Sequence, residues 1–202
     1  MKTIIYTSIV VFFLFSMKTE AQNYPSAAER NGLPTGEKAP MFQAVDKDKR
    51  VFSLQDTLKI RPVVLIFYRG VRCPVCSKHL NDLQDSLKLI EAKGAKVVAV
   101  SPQKPEYLDS MAQKTGAHFS LLYDEDYAIA DAYKVSFKPN KSTLLMYNTM
   151  LNANLKKTQS DDSQRLPIPA TYIISREGQI IWRHFNPDYK ARSSVKEILE
   201  QL

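Results

Sequence analysis

Cys73 and Cys76 are the only cysteines in this 202-residue chain, and they stand together in Cys73-Pro74-Val75-Cys76. Thiols at that spacing can close a disulfide, ligate a metal or anchor a haem. Zinc needs four ligands, and His79, His118 and His184 show no spacing that completes the set. A c-type haem asks for His directly after the second cysteine, where Ser77 stands. As a structural staple the pair would be poor, because closing so short a loop removes little chain entropy. Cycling between dithiol and disulfide is the chemistry that suits it, and no cofactor or metal is called for.

The elements around the pair indicate which sulfur reacts. Residues 63–68 (Val-Val-Leu-Ile-Phe-Tyr) read as a strand buried on both faces, broken at Gly70. Beyond the cysteines, apolar residues at Cys76, Leu80, Leu83, Leu87 and Ile90 mark one face of a helix. Pro74 suits the first helical position, where its missing N–H costs nothing, and Gly94 suits the far end. The order strand, loop, cysteines, helix sets the Cys73 sulfur beside unpaired N–H groups at the positive end of a helix. A thiolate is stabilised there, so Cys73 is the candidate nucleophile.

With 44% hydrophobic residues the chain is expected to fold as one domain with a full core. Its beginning has another pattern: a basic Met1-Lys2, a mostly apolar stretch over residues 4–17, then small residues at Thr19 and Ala21. This predicts a signal peptide over residues 1–21, cut after Ala21, and hence an exported, periplasmic or extracellular protein. The apolar run is shorter than the ~20 residues of a spanning helix, so no membrane span is expected after cleavage. A pI near 9.3 raises nucleic acid as a partner, but Lys and Arg are interleaved with Asp and Glu and form no basic block. No nucleic-acid partner is expected.

Along the chain, residues 22–35 read as a flexible polar leader and 36–202 as the folded domain. Strands are expected at 51–54, 96–101 and 119–123, with helices opening at Pro105, stopping at Gly116, and again around 127–133. This alternation predicts βαβ units and a mostly parallel sheet. Residues 138–165 interrupt it, with a helix capped by Ser142 that packs Leu144, Leu145, Met146, Met150 and Leu151, then a polar loop. A hairpin follows, turning at Arg176-Glu177-Gly178. Ser194 and Glu197 form a capping box before an apolar stripe of Val195, Ile198, Leu199 and Leu202.

Three stretches together resemble the alkyl hydroperoxide reductase/thiol-specific antioxidant (AhpC/TSA) family, in its peroxiredoxin-like branch with a Cys-x-x-Cys. They are Gly36-x-x-Ala39-Pro40-x-Phe42, Phe67-Tyr68-Arg69-Gly70-x-x-Cys73-Pro74-x-Cys76, and Leu166-Pro167-Ile168-Pro169-Ala170-Thr171-Tyr172. The resemblance runs from residue 36 to 202. It implies an α/β, thioredoxin-like fold, a central sheet flanked by helices, and a cis-proline at Pro169 facing the cysteines. The chain departs from the family pattern Pro-x-x-x-Thr-x-x-Cys, with Ile66 in place of Pro and Gly70 in place of Thr. Pro169 also falls where such enzymes place a peroxide-stabilising Arg. Losing such a stabiliser can cost ~3 kcal/mol, and Arg69 and Arg72, which flank Cys73, are the candidates to substitute.

The expected activity is a thiol-dependent oxidoreductase. Cys73 attacks a protein disulfide or a peroxide, Cys76 resolves the product, and a thiol donor (a thioredoxin-like protein or a small thiol) resets the pair. Thiol–disulfide exchange is favoured by the departures and peroxidase by the family. A third reading is a non-catalytic redox sensor, which cis-Pro169 and the helix-start cysteine together oppose.

Overall fold

A computed structural model describes residues 24–202, and the expected signal peptide lies outside them. In chain order the strands are β1 (Gln43–Val45), β2 (Val51–Ser53), β3 (Val63–Phe67), β4 (Lys96–Ser101), β5 (Ser120–Tyr123), β6 (Ser136–Phe137), β7 (Leu166–Pro167), β8 (Ala170–Ile174) and β9 (Ile180–Phe185). The α-helices are α1 (Leu54–Leu58), α2 (Pro74–Asp85), α3 (Leu87–Ala92), α4 (Pro105–Thr115), α5 (Ala128–Ala132), α6 (Lys141–Leu145), α7 (Leu155–Thr158) and α8 (Val195–Glu200).

The run of β-branched and aromatic residues that forms β3 is buried along its whole length and lies at the centre of a five-stranded sheet, β5-β4-β3-β8-β9. Only half of this sheet matches the expected parallel pairing. β3 pairs β4, and β4 pairs β5, in parallel, because helices carry the chain across between them. On the other side β3 pairs β8, and β8 pairs β9, antiparallel. A tight turn joins those last two strands, with Gly178 at φ +77° and its N–H on Ser175 O.

Side-chain alternation divides β3 between two cores. Val63, Leu65 and Phe67 face a layer that includes Phe52, Leu54, Leu58, Tyr133 and Tyr172. Val64, Ile66 and Tyr68 face the helical layer of α2, α3, α4 and α8, and both cysteines belong to that layer. Fully burying side chains of this size contributes ~1.5–3 kcal/mol each, so the strand end that carries the cysteine loop is firmly held. The long cysteine-bearing helix breaks at Ser86, so α2 and α3 are separate segments, with Gly94 at φ +86° after the second. The expected capping box at Ser194 and Glu197 is present.

The interrupting segment differs from its expected form. Asn140, not Ser142, caps α6: its Oδ1 accepts the Thr143 N–H at 2.9 Å. The helix continues as a π-turn over Met146–Met150, and Leu145 and Met150 face solvent, 64% and 82% exposed, instead of packing inward. The polar loop after it is tied down by buried Arg165, which bonds both Asp131 oxygens and Asp161 and lies over the rings of Tyr24 and Tyr127. A small separate core of Phe137, Tyr147, Leu155, Leu166 and Ile168 results. Residues 24–35, expected to be a flexible leader, also lie against the fold. Leu33 is buried, Arg30 bonds Ser136 O, and Lys138 N–H bonds Pro25 O. Burial of Leu33, and hydrogen bonds from its N–H to the Tyr172 hydroxyl and from Arg183 to the Asn31 and Leu33 carbonyls, outweigh the polar composition.

Asp124, fully buried at the end of β5, shows how loops are anchored on this sheet. Its two oxygens accept the N–H groups of Ile129 (2.7 Å) and Ala130 (3.0 Å), which open α5. Asp124→Ala strands both donors in the core and is expected to lower stability by about 1–3 kcal/mol, with Asp124→Asn losing less because one acceptor remains. Urea denaturation of the two variants measures this, and equal losses would mean that the cap is not the cause.

Candidate active site

Local sequence builds the site as the residue types imply. β3 ends at Phe67, the chain turns over residues 68–72, and Cys73 becomes the N-cap of α2 with Pro74 in the first turn. Because Pro74 lacks an N–H, the first amide free to meet the Cys73 sulfur comes later in the turn. Cys76 N–H donates to Cys73 Sγ at 3.3 Å. Cys73 and Cys76 form a disulfide, their Cα atoms 5.2 Å apart, and α2 begins at Pro74 with that bond in place. Closing it therefore needs no unwinding. Both cysteines are 1% exposed, so Cys76 is not the more buried of the two.

The candidate arginines part company. Arg72 is exposed on the loop. Arg69 is buried: it donates to Pro167 O (3.3 Å) and the Tyr147 hydroxyl (3.2 Å), and its guanidinium lies over the rings of Phe137, Tyr147 and Tyr189. It also lines a cavity of about 590 Å³ with Tyr24, Phe137, Lys138, Met146 and Tyr189, to which neither sulfur contributes. Arg69 thus faces aromatic rings and that cavity.

Gly70 is constrained from two directions. Its φ of +135° is open to glycine and strained for other residues, and a Cβ placed there would lie 2.3 Å from the Gln103 amide carbon. Gln103 is itself held, since its Oε1 accepts Val71 N–H at 2.7 Å. The space beside the cysteine loop that a threonine would fill is taken by this glutamine.

Pro169 is buried and precedes β8, but its peptide bond is not the cis bond that the family resemblance implies. Every peptide bond among the described residues is trans. The chain runs on from β7 to β8: Ile168 N–H bonds Val135 O, and Ala170 pairs with Phe67 and Phe185. No reversal there requires the cis form, and trans is the lower-energy isomer of an X–Pro bond.

Sequence reasoning missed the residues that approach the pair from a distance. Arg192 Nη2 donates to Cys76 Sγ at 3.4 Å. Its neighbour Ser193 bonds His79 Nε2 (3.3 Å) and Thr171 Oγ1 (2.8 Å). Burial first, and the charge of Arg192 second, hold the His79 pKa down to about 4, so His79 is neutral near pH 7. Tyr147 arrives from the interrupting segment. Arg192, Ser193 and Tyr147 stand far from the cysteines in sequence, and no motif marks them.

Comparison with known proteins agrees with this architecture. The AhpC/TSA family profile matches residues 35–183. A Mycobacterium tuberculosis protein assigned as a peroxiredoxin is 30% identical over 170 residues, covering 84% of this chain and 95% of its own. Peroxiredoxin Bcp of Escherichia coli is 32% identical over 105 residues, 52% of this chain and 67% of its own. Among solved structures, Xylella fastidiosa PrxQ superposes with a TM-score of 0.66 at 17% identity, over 85% of this chain and 96% of the other. The peroxidoxin BcpB of M. tuberculosis gives 0.64 at 18%, over 84% and 96%. The chain belongs to the AhpC/TSA family and is a peroxiredoxin-like thiol oxidoreductase with a thioredoxin fold and a Cys73–Cys76 disulfide.

Proposed function

We propose that this protein is exported and works chiefly by thiol–disulfide exchange, with peroxide reduction a slower side activity. The carrying observation is the donor set at Cys73 Sγ: among the described residues its hydrogen-bond donor is the Cys76 amide, with no guanidinium or hydroxyl beside it. A fast peroxidase must stabilise charge on the departing oxygen, and that takes donors aimed past the sulfur. Gly70 has no side chain to supply one, Gln103 is turned to Val71, and Arg69 is engaged with Pro167 and Tyr147. Exchange keeps the charge on sulfur throughout, so one amide and the helix end suffice. Peroxidase as the main activity remains the second reading, favoured by relatives that are named as peroxiredoxins.

In the proposed cycle the Cys73 thiolate attacks a substrate disulfide, Cys76 displaces the substrate, and a thiol donor reopens the Cys73–Cys76 bond. Burial of both sulfurs restricts the donor: it is a small thiol, or a protein admitted when the 69–73 loop opens. Trans Pro169 removes one of the two features set against a redox sensor, and turnover decides that question. Export rests on the basic start, apolar run and small residues before Gln22.

Three outcomes are expected. In stopped-flow assays the reduced protein consumes a small disulfide at a rate that Cys73→Ser abolishes, Cys76→Ser accumulates the mixed disulfide at Cys73, and peroxide is consumed more slowly than by typical peroxiredoxins. Peroxide reduction at a typical rate, lost on Arg69→Ala or Arg72→Ala, would reverse the weighting. Gly70→Ala is expected to cost at least ~2 kcal/mol through its φ and its overlap with Gln103. Gln103→Ala in the same chain relieves only the overlap, and thermal denaturation of both variants reads the difference. N-terminal sequencing of the mature protein is expected to begin near Gln22, and soluble cytoplasmic protein retaining Met1 would refute export.

A further inference from the structure

Two consecutive residues of the loop between β9 and α8 are set against two residues one turn apart on α2. Cys76 and His79 share a face of that helix, as i and i+3 positions do. Arg192 meets the first and Ser193 the second, and Ser193 is also tied to Thr171 on β8. The loop is pinned to both helix and sheet, so Arg192 reaches the sulfur from a fixed point of the backbone.

A carboxylate partner is what this guanidinium lacks. Among the described residues Arg192 forms no ion pair, and its Nη1 is buried with no hydrogen-bond partner. Charged and titratable groups around it are Arg69, which opposes its charge, Asp188, Tyr147 and Tyr189, which favour it, and His184 on β9, whose own pKa burial and then Arg192 help to lower. Burial and then Arg69 bring its pKa down to about 10, so it is still a cation near pH 7. His79 beside it is neutral there and adds no charge. Keeping a largely desolvated cation with an unused N–H is costly unless an anion compensates it. The disulfide offers only neutral sulfur. Reduction supplies the anion.

We infer that Arg192 stabilises the Cys76 thiolate, and so assists both the closing and the reopening of the Cys73–Cys76 disulfide. In reopening, the thiolate of a donor dithiol attacks Cys73 Sγ. The bond between the two sulfurs breaks, its electron pair goes to Cys76 Sγ, and Arg192 receives that charge with Nη2 and the free Nη1. The donor's second thiol then displaces Cys73, leaving the donor oxidised and both cysteines reduced. In closing, the same stabilised thiolate of Cys76 attacks the mixed disulfide at Cys73 and expels the substrate thiolate. A thiol of lower pKa is the better leaving group in the first case and is more fully ionised in the second.

The inference rests on cysteine cycling, yet its test reads ionisation in protein that does not turn over. Cys73→Ser keeps a good N-cap and leaves Cys76 as the only thiol, whose titration is followed by thiolate ultraviolet absorbance. Adding Arg192→Met is expected to raise the Cys76 pKa by about 1–3, and Arg192→Lys to restore much of that difference. With both cysteines present, Arg192→Met is expected to shift equilibrium with a dithiol buffer at least tenfold toward the disulfide, about 30 mV for this two-electron couple. Circular dichroism confirms the fold of each variant, and Arg192→Gln, which keeps an N–H without the charge, replaces Met if that variant fails to fold. A Cys76 pKa unchanged by loss of the charge, or not lowered again by Lys, overturns the inference.

Discussion

One amide contact governs the geometry of this protein: the Cys76 N–H on the Cys73 sulfur. It forms only if a helix begins at Cys73, and that beginning is fixed because β3 is immobilised between two cores a few residues upstream. Pro74 then helps to start the helix at the right residue. The sulfur gains the positive end of α2, and Cys76 arrives one turn later with its Cα 5.2 Å from that of Cys73. Because α2 is intact with the disulfide closed, oxidation need not pass through a locally unfolded state. The redox step is built into a helix turn.

Around that turn the fold draws cations from two separate parts of the chain. Arg69 follows β3 and is held by Tyr147 of the interrupting segment and Pro167 before β8. Arg192 comes from the loop before α8, held in place by Ser193. Neither has a carboxylate partner among the described residues, whereas Arg165, further away, is paired with Asp131 and Asp161. The contrast is physically informative. Arg165 offsets its desolvation with ion pairs and serves the fold, Arg69 is engaged with a carbonyl, a hydroxyl and aromatic rings, and Arg192 alone turns its charge to a sulfur.

What the sequence disclosed were the features determined locally. The buried strand at β3, β4 at residues 96–101, Pro74 opening α2, Gly116 closing α4 in the left-handed region and the Ser194 capping box all depend on neighbours within a few positions. Sequence does not separate Asn140 from Ser142 as the cap, because both are good caps and the difference lies in one hydrogen bond. The hairpin of β8 and β9 was legible from its turn, but the antiparallel pairing of β3 with β8, the packed residues 24–35 and the exposed Leu145 and Met150 were not, since each depends on contacts with distant segments. So does the site beyond its cysteines. Arg192 lies 116 positions from Cys76, and its neighbours in sequence are an ordinary polar loop. Pro169 shows the converse hazard, in which a family pattern implied a cis bond and extended pairing on both sides gave a trans one.

The distribution of donors bears on how the two sulfurs share work. A helix N-terminus offers roughly half an elementary charge, spread over several amides, whereas a guanidinium carries a full one. In a dithiol site where only the first cysteine is stabilised, negative charge stays on that sulfur and the second remains a thiol until it is called on to attack. Here each sulfur has its own donor, the amide for Cys73 and Arg192 for Cys76. The reduced pair is then stabilised relative to the disulfide at both ends, which makes the disulfide the more readily reduced partner in exchange. A peroxide asks for donors at the oxygen that departs from Cys73, and the donor observed at the Cys73 sulfur is the Cys76 amide. In the proposed exchange cycle, the charge that Arg192 brings to Cys76 thus serves the sulfur–sulfur bond.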